Sequence, residues 1–272
     1  MTLRTFKTKF FSYACFFLSF IAMLPVVLII FYLCREGLNR MDFAFFTETQ
    51  PSPGVSGGGV SNAIIGTLFL TVISTLIATP ISILSAIYLS FSKRSKTTEI
   101  INLSISILQS IPAIVIGLAT YTWIVRSMGS FSMISGAIAL AIMMIPYITV
   151  NTVEVIKLIP ETTIEAAYAT GGKFSLIVSR VIIPTVFPGL VTGIIVALAR
   201  VTGEAAPLFF TAFGNPFISL NPLEPSASLP LIIFQFSITP YENWQQLAWT
   251  ASLTLLIFVV VLNLIAEYIS KR

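Results

Sequence analysis

Six stretches of this chain are apolar for about twenty residues or more, and such runs leave a polypeptide few options. A run of this length crosses about 30 Å of hydrocarbon as a helix, because a helix bonds its own backbone where there is no water to do so. The runs cover roughly 11–34, 61–91, 100–125, 132–151, 187–208 and 246–268. A membrane barrel would instead show alternating segments of about ten residues, and the sequence has none. Only 10% of the residues are charged, against about 25% in a soluble domain; mean hydropathy is +0.95. The fold class that follows is an all-α membrane protein with six transmembrane helices, with 1–272 read as a single transmembrane domain. Pro25, Pro80, Pro112 and Pro146 fall inside the runs, where neighbouring groups can take up the carbonyl that each proline frees. The first run is too long for a cleavable signal peptide, and no small-x-small site follows it.

Orientation follows from where the cations sit. With six spans both termini share a side. That side holds Arg4, Lys7, Lys9, Lys93, Arg94, Lys96, Lys157, Lys173, Arg180, Lys271 and Arg272, while Arg35, Arg40, Arg126 and Arg200 fall elsewhere. Eleven against four places both termini in the cytoplasm. The net charge of +4 is then an orientation signal with some affinity for anionic lipid, and it requires no nucleic acid. The two outer loops, 35–60 and 209–245, are too small for a folded binding domain; Leu231–Phe236, Trp244 and Trp249 suit short helices in a headgroup belt.

The cytoplasmic loop 152–186 does more than turn the chain round. Thr162-x-x-Glu165 reads as a capping box that starts a helix. Ala166, Ala167 and Ala169 favour its continuation. Gly171 and Gly172 stop it, since glycine takes the left-handed conformation without a Cβ penalty. Pro184 and Pro188 read as the start of the next span. The expected product is a short helix, a turn and a second short helix on the membrane surface, with small side chains that let another protein approach closely.

Arg200 and Glu204 are four apart in the fifth run, and therefore on one face of a helix. With a span starting near Pro188, Arg200 would lie about 18 Å in, and a charge at that depth should face a bundle interior or an aqueous path. A guanidinium suits bidentate contact with an oxyanion; Glu204 would hold it and keep an empty site from trapping the anion. Thr202 is a weaker candidate, because a threonine hydroxyl in a helix usually bonds its own backbone.

Other chemistry is excluded. There is no histidine, so no Ser/His/Asp or Cys/His set exists, and no cluster has metal-ligand spacing. Cys15 and Cys34 stand about 28 Å apart along one helix and cannot pair. Gly57-Gly58-Gly59 and Gly171-Gly172-Lys173 lack the rest of a phosphate-binding loop. The chain carries no cofactor and no catalytic residue of its own.

With these residues in view, Glu165-Ala166-Ala167-x-x-x-Gly171 and Val181-x-Ile183-Pro184 resemble the "EAA" loop of ABC importer permeases of type I architecture. Further segments resemble the phosphate-specific branch, and within it the PstA-type permeases. These are Asn62-Ala63-Ile64-Ile65-Gly66-Thr67-Leu68, Ile111-Pro112-Ala113-Ile114-Val115-x-Gly117, Arg200-x-x-Gly203-Glu204-x-Ala206-Pro207-Leu208, Leu229-Pro230 and Trp244-x-x-Leu247-Ala248-Trp249. The chain departs from the family in having Ser82 where glycine is common, which weakens close packing there. The resemblance implies a permease subunit of a phosphate importer in a bacterial cytoplasmic (inner) membrane. Its partners would be a homologous permease of the PstC type, two ATPase subunits of the PstB type carrying ATP and Mg, and an outer phosphate-binding protein of the PstS type. Thr162, Glu165, Ala166, Ala167, Gly171 and Pro184 would serve ATPase coupling, and Arg200, Glu204 and Thr202 the translocation pathway. Sulfate or molybdate remains an alternative cargo, and an ATP-independent channel or secondary transporter a less favoured reading.

Overall fold

The computed structural model describes residues 3–92 and 95–271. Lys93, Arg94 and Arg272 of the charge count lie outside the described residues, as do the side chains of Arg4, Lys7 and Lys9. Among the described residues regular structure is helical, apart from one bridge between Phe213 and Ser226.

Five helices are long and apolar enough to cross a membrane unbroken, and a bent pair, counted as one span, brings the number to six. In chain order they are α1, Leu3–Gly37; α2, Ser61–Phe91; the pair α3, Lys96–Ser110, and α4, Ala113–Met128; and α5, Met133–Lys157. The short α6, Glu161–Ala169, precedes α7, Phe174–Thr202; α8, Ala206–Phe209, and α9, Leu229–Ser237, lie in the long connection before α10, Glu242–Ser270.

Two expected boundaries change. The run 100–125 is not a straight span: α3 and α4 meet at 108°. The residue before a proline is pushed out of the helical region, and Ile111 is extended, with ψ 130°. Pro112 then caps α4 with ψ 138°. Pro25, Pro80 and Pro146 stay inside α1, α2 and α5 as expected. The run 187–208 shifts toward the N-terminus. Pro184 and Pro188 do not open it, because α7 has already begun at Phe174 and runs continuously through them. The second short helix of the loop is thus the first turn of the span. Pro184 supplies no amide to the ladder, and the turn just before it, Val178–Ile182, widens to a π-helix, a common response where the ladder is interrupted.

Lipid tails are as apolar as leucine, so helices here associate by close packing and small residues. The most extensive helix pair is α2 against α5; Ala78, Ser82 and Ala86 of the one and Ala137, Ala141 and Ile148 of the other are all buried. Ser82, the departure from glycine, is fully buried; its hydroxyl donates to Ala78 O at 2.8 Å and reaches Ile145 O across the interface at 3.2 Å. α1, by contrast, buries none of its apolar window and meets the rest of the chain mainly through α10. Gly37 permits that contact, since a Cβ there would lie 2.7 Å from Leu253 Cβ.

The long connection before α10 folds back into the protein. In α9 Leu229, Pro230, Leu231, Ile232 and Phe236 are buried, packed on α10 and α2. It is therefore a core element and not a helix in the headgroup belt. Trp244 also turns inward and stacks on Phe236, with ring centroids 4.3 Å apart; Trp249 remains on the surface and meets Tyr32 edge-on.

Candidate functional site

Arg200 sits two residues from the C-terminal end of α7, about 39 Å along it at 1.5 Å per residue. Its backbone is therefore far along the helix from the loop 152–186, but its guanidinium reaches back to Tyr147, about 15 Å from the loop end of α5. Glu204 is not on the same helix: α7 ends at Thr202, Gly203 closes it, and Glu204 lies in the irregular segment beyond. The spacing of four therefore places no carboxylate beside the guanidinium, and among the described residues Arg200 and Glu204 form no ion pair. What holds Arg200 is the ring of Tyr147 on α5, 4.4 Å from the guanidinium carbon to the ring centroid. A cation over an aromatic face is attracted by the ring quadrupole, and the guanidinium keeps its planar fork of donors for a ligand. Thr202 is buried, and its hydroxyl donates to Leu198 O at 2.7 Å. That is the backbone-bonded state expected of a helical threonine, so it offers no contact to a solute.

Below Arg200 a cleft of about 380 Å³ runs between α5 and α7. Its polar lining is Gln109, Tyr147, Asn151, Glu154 and Arg200. Gln109 comes from the last turn of α3, so the break at Pro112 brings this side chain to the cleft. Glu154 pairs with Lys157 at 2.8 Å on the exposed end of α5. Sequence reasoning missed Tyr147, Asn151 and Gln109. Asn151 is an amide inside an apolar run, the kind of position that marks pathways, and this signal was present in the sequence.

The second region is α6. Thr162 and Glu165 do not form a capping box. Pro160 is the N-cap, Thr162 is already the second helical residue, and no side chain bonds the first amides. Pro160 presets a φ of −58°, which starts the helix without a hydroxyl, and Glu161 in the first turn complements the helix dipole. The stop signal is as expected: Gly171 has φ +74°, and its amide donates to Tyr168 O at 2.9 Å.

One face of α6 is seated and the other is bare. Ile164 and Ala167 pack against the buried cluster Ile156, Ile159, Ile177, Ile182 and Val186, which Ile87 and Phe91 of α2 also join. Thr162, Glu165, Ala166 and Tyr168 are exposed. Leu158, just before α6, is 79% exposed. Pro184 is exposed within α7 beside this cluster. A two-turn helix cannot be stable alone, so α6 owes its order to that apolar seat, and the seat belongs to α2, α5 and α7. The two regions are thus linked: the helices that carry α6 at one end form the cleft and hold Arg200 toward the other.

Residues 78–272 match the family profile of the binding-protein-dependent transport system inner membrane component. The phosphate transport system permease protein PstA of Yersinia pestis is 39% identical over 248 residues, which is 91% of this chain and 84% of that protein. The protein of the same name from Xylella fastidiosa is 38% identical over 242 residues, or 88% and 84%. Among solved structures, a chain of a bacterial alginate ABC transporter, crystallised with an alginate-bound periplasmic protein, superposes with a TM-score of 0.72 over 99% of this chain and 96% of that one. At 14% identity that is a likeness of fold.

Proposed function

The chain belongs to the binding-protein-dependent transport system inner membrane components, and within them to the PstA-type phosphate permeases; from that premise we propose how it works. It is a multi-pass membrane permease subunit of an ATP-driven importer of inorganic phosphate, and not itself an enzyme. It forms half of the translocation path, and a second, homologous permease of the PstC type forms the other half. Two PstB-type ATPase subunits, which carry ATP and Mg, sit on the cytoplasmic side, and a PstS-type protein delivers phosphate to the outer face. Both termini are cytoplasmic.

The observation that carries this reading is the seat of α6. A helix that presents Thr162, Glu165 and Ala166 to solvent, with Ile164 and Ala167 locked into the ends of α2, α5 and α7, is a lever. When the ATPase subunits close, a rigid α6 moves with them. The packed ends of α5 and α7 then shift, and the cleft between them changes its access. Interfaces of this kind have two packed states, not a continuum, and ATP biases one of them. Arg200, at the outer end of the cleft, meets the anion as it leaves the binding protein.

The test is reconstitution. Vesicles holding the chain with its permease and ATPase partners should take up labelled phosphate only with ATP and binding protein. Vesicles holding the chain alone should take up none. Uptake by the chain alone, down a gradient and without ATP, ends this reading.

A further inference from the structure

We propose that the transported oxyanion has a second contact at Asn151, one helical turn inward of Tyr147 on α5, and that Asn151 presents its side-chain amide nitrogen to it. This rests on the reading of Arg200 given above and adds a binding residue to it.

α5 and α7 run antiparallel, and their facing residues pair off along the cleft. Arg200 stands over Tyr147. Asn151 of α5, about 6 Å inward of Tyr147 along the axis, faces Gly193 of α7, about 10 Å inward of the Arg200 backbone. The fit is close: a Cβ on Gly193 would lie 1.9 Å from Asn151 Oδ1. Only glycine leaves room for the amide there, and Oδ1 is the atom that lies against it. Oδ1 is enclosed and accepts no hydrogen bond. The nitrogen is not among the enclosed atoms, and among the described residues nothing accepts from it. The open side of Asn151 is therefore a donor with no protein partner, in a cleft whose volume of about 380 Å³ equals about a dozen waters.

A neutral donor at this point has a chemical purpose. The nitrogen lies on the open side with no protein acceptor, and an amide N–H donates to an oxyanion more strongly than to a neutral acceptor. Arg200 alone would bind a tetrahedral oxyanion and hold it at the outer end. An amide one turn further in offers the same oxygens a second hydrogen bond without a second positive charge, so the anion can step inward and still leave. The amide of Gln109 faces the same cleft, and Glu154 lies beyond it at the inner end. Along α5 the order is Tyr147 with Arg200 over it, then Asn151, then Glu154, which is paired with Lys157. That order favours passage over retention.

The test uses the whole complex in vesicles, with inorganic phosphate as the probe. Asn151→Asp keeps the shape that fits Gly193 but turns the donor into an acceptor. Asn151→Ala removes the donor and leaves a gap. We expect Asn151→Asp to lower phosphate uptake about tenfold or more, the scale of a hydrogen bond to a charged group, and Asn151→Ala to lower it less. Binding-protein-stimulated ATP hydrolysis should persist in both. A role in packing alone predicts the reverse order, with the isosteric aspartate milder than alanine, and that result overturns the proposal. Normal uptake in both variants while Arg200→Gln is inactive also overturns it, and leaves Arg200 in place. Normal uptake in all three removes the Arg200 reading as well. Should Asn151→Asp fail to assemble, normal uptake by Asn151→Ala overturns the proposal and reduced uptake with intact ATP hydrolysis supports it.

Discussion

Arg200 shows how one side chain can be charged, near the end of an apolar helix and free to bind. Its guanidinium rests on Tyr147, which orients it without neutralising it, as Glu204 would have done. Arg200→Lys keeps the charge but loses the planar fork and much of the ring contact. We expect phosphate uptake by the complex to fall about tenfold, and Arg200→Gln to abolish it. Tyr147→Leu leaves the charge and removes its platform, worth about 1 kcal/mol, so a loss of about fivefold is expected. Initial rates of labelled-phosphate uptake check all three, and a parental rate in Arg200→Gln defeats the pathway role. Arg200 was legible in the sequence because an ionisable residue in an apolar run is conspicuous. Its true neighbour was not. Spacing relates residues on one helix, and the contact to Tyr147 crosses between two. The helix also stops at Thr202, two residues before the carboxylate that spacing had paired with Arg200. Asn151 was visible but unremarked, since its meaning depends on Gly193, 42 positions away in the chain and adjacent only in the fold.

At the scale of elements, α6 depends on how it ends. Gly171 has φ +74°, with open space where a Cβ would go, so the objection to a side chain there is conformational and not steric. Gly171→Leu should cost about 1–2 kcal/mol in the left-handed region, whereas Gly171→Asn should be nearly tolerated. In the complex we expect the leucine variant to lose stimulated ATP hydrolysis and uptake together, and the asparagine variant to keep both. The connection outside the spans makes a different prediction. The first amides of α5, Met133 and Ile134, donate to the carbonyls of Glu224 and Pro222. The carboxyl of Glu224 is held below its ordinary value by hydrogen bonds from Ser219 and then Asn221. A lowered pKa means the ionised form is favoured in the folded turn. The support it gives is complete above the unfolded value of about 4.3 and is lost as pH falls through the lowered one. Hydrogen-exchange protection of Met133 and Ile134, corrected for intrinsic rate, should therefore hold from neutral pH to about 5 and drop below about 4. Glu224→Gln should show reduced protection already at neutral pH and little further change with acid. The spans themselves were legible wherever a run was uninterrupted, as in α2, whose bounds match the expected 61–91. They were misread where proline acts in context. Pro80 and Pro146 stay helical while Pro112 breaks its run, and hydropathy alone does not distinguish them.

On the scale of the whole molecule the arrangement is a bundle with two unlike ends. One end carries α6, Lys157, Lys173 and Arg180; the other carries α8, α9, the Ser219–Glu224 turn and the Arg40–Asn243 contact at 2.7 Å. That division follows from an even number of crossings, and the bent pair α3–α4 must complete one for it to hold. A pair that merely dipped in and returned would put α5 and everything after it on the opposite side, with the positive residues of the α6 loop outside. Membrane-impermeant thiol labelling separates the two cases. In variants lacking Cys15 and Cys34 and carrying one new cysteine, Glu224→Cys should react in intact cells and Glu165→Cys should not. In inside-out vesicles the pattern should reverse. Once the ATPase subunits are bound, the cysteine at 165 should be protected there and should crosslink to them, because its face of α6 is the bare one. Labelling at 165 from outside the cell would mean that α3 and α4 do not cross. The lever would then face the wrong compartment to meet an ATPase, and the coupling argument would fail with the topology.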